Sequence, residues 1–256
     1  MSAQLRTQLL RWLLLVVLYH HFDEQVRTHR SLRFTSYTRD VPCAICNIRK
    51  QRRSCPSVHG EICTICCATE REQTLDCPLD CQYLREAHEH EKPPDLDIAS
   101  VPNQDIEVTE EFLEANQIPM AFIAVALFEG AMQSNGATDW DVREALQSSI
   151  TSYRALQSGI YYETRPVNVY AAAIVDHLST QIAAVKEEES KAGQSSSLPD
   201  SAILAILAFF QRLEYSRNNG RKRGRAFLDL LSGFYQPTGD TGESLIESDP
   251  EPRIIL

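Results

Sequence analysis

Residues 43–84 read CAICNIRKQRRSCPSVHGEICTICCATEREQTLDCPLDCQYL and hold all eight cysteines of the 256-residue chain. Six sit in pairs: Cys43-x2-Cys46, Cys63-x2-Cys66 (with Cys67 directly after) and Cys77-x3-Cys81; Cys55 lies between the first two pairs. The 39 residues from Cys43 to Cys81 are too few, and too poor in large apolar side chains, to build an ordinary core. A pair two residues apart closes almost no loop as a disulfide, but it makes the tight turn that sets two thiolates on one ion. The stretch therefore reads as metal-folded, which favours a reducing, cytoplasmic setting.

Four ligands close a structural zinc site, so Cys43, Cys46, Cys55, Cys63, Cys66, Cys67, Cys77 and Cys81 make two such sites. Two partitions are compatible with the spacing. The first joins Cys43, Cys46, Cys63 and Cys66, leaving Cys55, Cys67, Cys77 and Cys81 interleaved for the second ion. The other is sequential: Cys63, Cys66 (or Cys67), Cys77 and Cys81 on one ion, and Cys43, Cys46, Cys55 and His59 (or Cys67) on the other. An iron–sulfur cluster is the alternative cofactor, since four cysteines suit it too; pairing of the cysteines favours zinc. A full cysteine complement leaves no open position for a catalytic metal. His88-Glu89-His90-Glu91 reads as the charged, solvated end of a helix.

Cys77 and Cys81 read as a helix-start pair. Pro78 suits a first turn, Asp80 the positive end of the dipole, and residues 82–87 a helix. A knuckle followed by a ligand pair on a helix start resembles the treble-clef class of zinc fingers. The run Cys63-x2-Cys66-Cys67, then Cys77-Pro78-x2-Cys81-x-Tyr83-Leu84, also resembles a module of uncharacterised bacterial proteins. The resemblance covers 20 to 40 residues and implies metal binding without an activity.

Outward from this module, 41–91, the chain changes character. Residues 1–40 are basic and partly apolar. Their uninterrupted apolar run, Trp12 to Tyr19, is short of the roughly 20 residues a spanning helix needs. A membrane role is therefore expected only if residues 1–32 are native and lie on a surface. Residues 92–107 read as a linker, and 237–256 as a disordered acidic tail. Between them, 108–236 reads as a bundle of five or six helices. Val142, Ala145, Leu146, Ser149, Ile150, Tyr153, Leu156 and Ile160 keep helical spacing, with Thr138 as N-cap. Pro119, Asn168 and Pro199 mark further helix starts, and 226–235 a last short helix. Residues 120–128 are apolar on every side and belong at the centre, with Met120 and Met132 in the core; Tyr161 and Tyr162 read as a helix end packing on aromatic surface. The fold class is mainly α: a small cysteine-rich two-zinc module, then the bundle.

The formal net charge of −10 divides into +7 over residues 1–56 and −17 over 57–256. Two basic runs could meet phosphates: Arg49, Lys50, Arg52 and Arg53 in a loop of the module, and Arg221, Lys222, Arg223 and Arg225 in a glycine-containing turn, with Arg212 and Arg217 nearby. The same runs could be solvated charge, one of them docked on the acidic linker. Phosphate-loop, dinucleotide, nucleophile-elbow and zincin motifs are absent. The expected function is a non-enzymatic, zinc-stabilised interaction or regulatory protein. Its expected partners are another protein or a second copy, with nucleic acid as the non-protein candidate. A thiol-based redox sensor is the alternative.

Overall fold

A computed structural model describes residues 42–92, 97–193 and 196–235. The chain divides into a unit of residues 1–41 and one of 42–256, and all described residues belong to the second. The expectations for 1–40 and 237–256 lie outside the described residues. The fold is mainly α. Its one sheet among the described residues is a hairpin of β1 (Arg53–Cys55) and β2 (Gly60–Ile62), paired antiparallel with Arg53 opposite Ile62. Helices α1 (Thr64–Glu70) and α2 (Gln82–His90) complete the module.

Among the described residues six α-helices follow: α3 (Glu110–Ala115), α4 (Gln117–Met132), α5 (Asp139–Gln157), α6 (Val169–Lys191), α7 (Asp200–Arg217) and α8 (Ala226–Tyr235). Thr109 caps α3, its hydroxyl accepting from the Phe112 N–H at 3.1 Å. Thr138 and Asp141 form a capping box on α5, where the Thr138 N–H donates to Asp141 Oδ2 at 2.7 Å. Asn168 caps α6 through the Tyr170 N–H at 3.0 Å.

The core is made by α4 to α8. Helix α4 packs chiefly on α6 and α8, and α5 on α7 and α6. Gly130 lets α4 and α6 approach closely, since a Cβ there would lie 3.1 Å from the Ile174 Cα and 3.2 Å from the His177 Cβ. The most deeply buried helix is α7, whose run from Ala202 to Ala208 is entirely buried. Helix α4 is central but not enclosed: Ile118 and Met132 are exposed, while Met120 packs on the core. Helix α5 ends at Gln157, with Gly159 left-handed at φ 76, so Ile160 falls off the helical face and is exposed. Tyr161 and Tyr162 are exposed too, against the expectation that they pack. Residues 97–107 lie on the bundle: Arg212 donates to the carbonyls of Asn103 and Ile106, and Arg154 pairs with Asp105 at 2.6 Å. No described helix is long and apolar enough to cross a membrane.

Candidate metal centre

Cys43 and Cys46 lie on a tight loop. The Asn47 N–H donates to the Cys43 carbonyl at 2.8 Å, and Asn47 takes a left-handed φ of 54, which its short amide side chain tolerates. The Ala44 N–H donates to the Glu61 carbonyl at 2.9 Å, which ties this loop to β2. The hairpin then delivers Cys63 to the N-cap of α1. Its Sγ accepts from the Cys66 N–H at 3.4 Å, and Cys66 lies in the first turn. A knuckle followed by a ligand pair on a helix start is therefore present, with Cys63 and Cys66 as that pair. The Sγ atoms of Cys43, Cys46, Cys63 and Cys66 all lie within 4.8 Å of one another. Tetrahedral thiolate ligation at about 2.3 Å per bond needs sulfurs roughly 3.8 Å apart, so the four fit one ion.

Electrostatics agree with a cation there. Burial raises the Cys43 thiol, but backbone N–H groups of Cys46, Cys63 and Ile45 outweigh it and bring it down to about 6. Burial and the neighbouring sulfurs of Cys63, Cys46 and Cys43 push Cys66 up to about 12. One thiolate forms readily, and the last is held neutral by its neighbours. Only a cation among them lets all four ionise. Every one of the eight cysteines is free of disulfide bonding. The tetra-cysteine group can hold a metal ion, and a full sulfur shell offers it no open position.

The other four cysteines share one place. Cys55, Cys67, Cys77 and Cys81 line a cavity of about 10 Å³ under the hairpin, with Tyr83 and Leu84. They do not converge as tightly as the first four. Burial raises Cys77 to about 11, and the charges of Cys81 and Cys55 push the same way. Cys67 Sγ accepts from Arg53 Nη1 at 3.3 Å, with Arg71 Nη2 at 3.9 Å. The first group, Cys43, Cys46, Cys63 and Cys66, is the set that the interleaved partition places on one ion. His59 stands exposed in the hairpin turn at φ 49, outside both groups. One local expectation is corrected: α2 starts at Gln82, with Cys81 as N-cap, and Pro78 belongs to the turn before it, where the Cys81 N–H donates to the Pro78 carbonyl at 3.0 Å.

The basic residues divide by burial. Arg49, Lys50 and Arg52 are exposed on the loop into β1. Arg49 also leans on the centre, since a side-chain hydrogen bond to Cys63 holds its guanidinium above the usual range. Arg53 is half-buried, its guanidinium 4.4 Å above the Tyr83 ring. The turn 221–225 is not a free flexible patch. Arg221 pairs with Glu91 at 2.7 Å, Arg223 lies 3.9 Å from Asp76, and buried Arg225 pairs with Asp76 at 2.7 Å. Arg225 Nη1 also donates to the Cys77 carbonyl at 2.7 Å. Lys222 and Arg223 are the exposed residues of this turn.

Sequence reasoning missed the keystone of this seam, Glu72. It is fully buried, held at φ 54, and accepts from the Arg225 N–H at 2.7 Å and Asn219 Nδ2 at 2.8 Å. His88 Nε2 lies 3.2 Å from the same carboxylate, and His88 Nδ1 lies 2.9 Å from Asp229 of α8. Burial alone would lower His88, yet hydrogen bonds to Asp229 and Glu72 override it and raise the imidazole to about 9. His88 is thus no solvated helix end: α2 is clamped to the bundle by an imidazolium between two carboxylates. At the next layer, Asp139 accepts from the N–H groups of Phe227 and Leu228, both at 3.0 Å, so the start of α5 caps the start of α8; burial pushes Asp139 up to about 7. A Glu72–His88 pairing has no signal in one sequence, because nothing in the spacing of residues 72, 88 and 229 marks it. Comparison of the chain with known protein families, with curated proteins and with solved structures finds no match.

Proposed function

We propose that the chain is a non-enzymatic interaction or regulatory protein whose module, residues 42–92, is folded by two zinc ions. The observation that carries the reading is the convergence of Cys43, Cys46, Cys63 and Cys66 within 4.8 Å. The second ion is assigned to Cys55, Cys67, Cys77 and Cys81, which line one cavity where the guanidinium groups of Arg53 and Arg71 face the Cys67 sulfur. Zinc is favoured over an iron–sulfur cluster by the closed set of paired cysteines. Arg49, Lys50 and Arg52 form the exposed basic loop for phosphate contacts. A protein partner or second copy is assigned to the apolar stretch after α5, where Ile160, Tyr161, Tyr162, Val167 and Val169 are all well exposed.

Metal analysis of protein purified without chelator tests the first part. Two zinc ions per chain and no thiols reactive under native conditions are expected; iron with sulfide, or one zinc with reactive thiols, would contradict it. A salt titration of nucleic-acid binding tests the loop. Arg52→Ala and Lys50→Ala should each flatten the log–log salt slope by about 1 if the loop neutralises phosphates. The thiol-sensor reading has one observation in its favour, the guanidinium groups of Arg53 and Arg71 that both face the Cys67 sulfur. It predicts reversible zinc release with peroxide.

A further inference from the structure

We propose that Glu72, His88 and Glu91 form a separate binding site for a divalent cation, open to the cavity between α2 and the start of α8. One ligand atom from each of the three lies within 4.8 Å of the other two. The donor set, one imidazole nitrogen and two carboxylate oxygens, suits first-row divalent ions such as Mn²⁺, Fe²⁺ and Zn²⁺. The site is built rather than accidental. Glu72 is fully buried, and the His88 side chain is 8% exposed. Asn219 Nδ2 fixes Glu72 at 2.8 Å and reaches Glu91 at 3.2 Å, and Arg221 holds Glu91 from the other side at 2.7 Å.

Two further features distinguish this triad from an acidic cluster. His88 presents Nε2 to Glu72 and Nδ1 to Asp229, 2.9 Å away. A histidine that gives one nitrogen to a metal and the other N–H to a carboxylate is the usual outer-shell arrangement of metal sites, and here Asp229 supplies that carboxylate. Two of the three, His88 and Glu91, also line a cavity of about 230 Å³ together with Asp229, Asn219, Lys92 and Arg217. Three protein ligands leave coordination positions for a further ligand, and the cations Lys92 and Arg217 at the same cavity fit an anionic oxygen there. The site uses no sulfur, and its carboxylates suit ions that thiolates bind poorly.

The test uses the full chain with its cysteine-bound metal retained. Mn²⁺ is titrated in and the bound fraction read by electron paramagnetic resonance, with Zn²⁺ titrated separately by calorimetry. Binding of either ion, one per chain, that weakens at least tenfold in Glu91→Gln is the expected result. Asp229→Asn, which keeps the three ligands and loses only the orienting carboxylate, is expected to weaken binding about 10- to 100-fold. Neither ion binding, or binding unchanged in both variants, overturns the proposal. Metal analysis of the cysteine module is read separately on the same sample, so failure here and failure of the two-zinc reading are distinguishable.

Discussion

The cysteine module and the helical bundle solve the same problem by different means. In the bundle, more than twenty apolar residues are buried together, with Phe210, Phe227, Ile203 and Leu127 fully enclosed. In the module the buried apolar residues other than cysteine are Ile62, Leu75 and Leu84. Burial at about 25 cal/mol per Å² can order helices of α4 to α8, but three side chains cannot offset the backbone entropy of some fifty residues. On the proposed reading, metal ligation takes over that task in the module. Stability therefore rests on cysteine chemistry in one region and on packing in the other, and the two meet at a polar seam centred on Glu72.

The largest way to break the comparison is to remove metal. Structural zinc contributes on the order of 10–16 kcal/mol of apparent binding energy, all of it folding energy for the segment it orders. Chelation, or Cys63→Ser, should unfold residues 42–92 and leave the helical circular dichroism of the bundle largely intact. The converse substitution, Leu127→Ala in α4, should cost the bundle about 2–5 kcal/mol in denaturant melts and leave metal content unchanged. A denaturation in which both regions lose structure together after chelation would merge the two regions into one.

A smaller effect sharpens the seam. Glu72→Gln replaces a carboxylate that satisfies Arg225, Asn219 and His88 by an amide that cannot accept from all of them. It should destabilise docking of the module by about 1–3 kcal/mol, seen as faster amide exchange in residues 218–225. The pH dependence has a definite sign. With no cation on Glu72, His88 and Glu91, His88 titrates near 9 in the folded chain against 6.5 when unfolded. The folded state then holds the proton more tightly, so the stabilisation is complete below 6.5 and is lost as pH rises through about 9. A stability profile flat between those values in wild type, or one unchanged by His88→Gln, would remove the clamp. The smallest effect belongs to exposed Lys222: Lys222→Ala should change stability by less than about 0.5 kcal/mol, whereas Arg225→Ala, one turn of chain away, should cost several times that.

Legibility in the sequence followed the range of the interaction. Helix α5 was readable because its cap, Thr138 with Asp141, and its apolar face lie within nineteen residues. The pairing of Cys43-x2-Cys46 with Cys63-x2-Cys66 was readable as one of two partitions, since knuckle spacing is local; choosing between them needed the hairpin that brings the pairs together. Arg221, Arg223 and Arg225 read as a free basic turn because their partners Glu91, Asp76 and the Cys77 carbonyl lie more than 120 residues earlier. Ile160 kept helical spacing but fell beyond Gly159, where the left-handed backbone ends the helix. Glu72 carried no local mark at all.

The most direct test of metal-folded module beside packing-folded bundle is hydrogen exchange, followed by mass spectrometry, with and without a chelator that strips the cysteine sites. The account predicts that protection disappears from residues 42–92 and from the docked turn 218–225, and persists in α4 to α7. Protection retained across 42–92 in metal-free protein would contradict it.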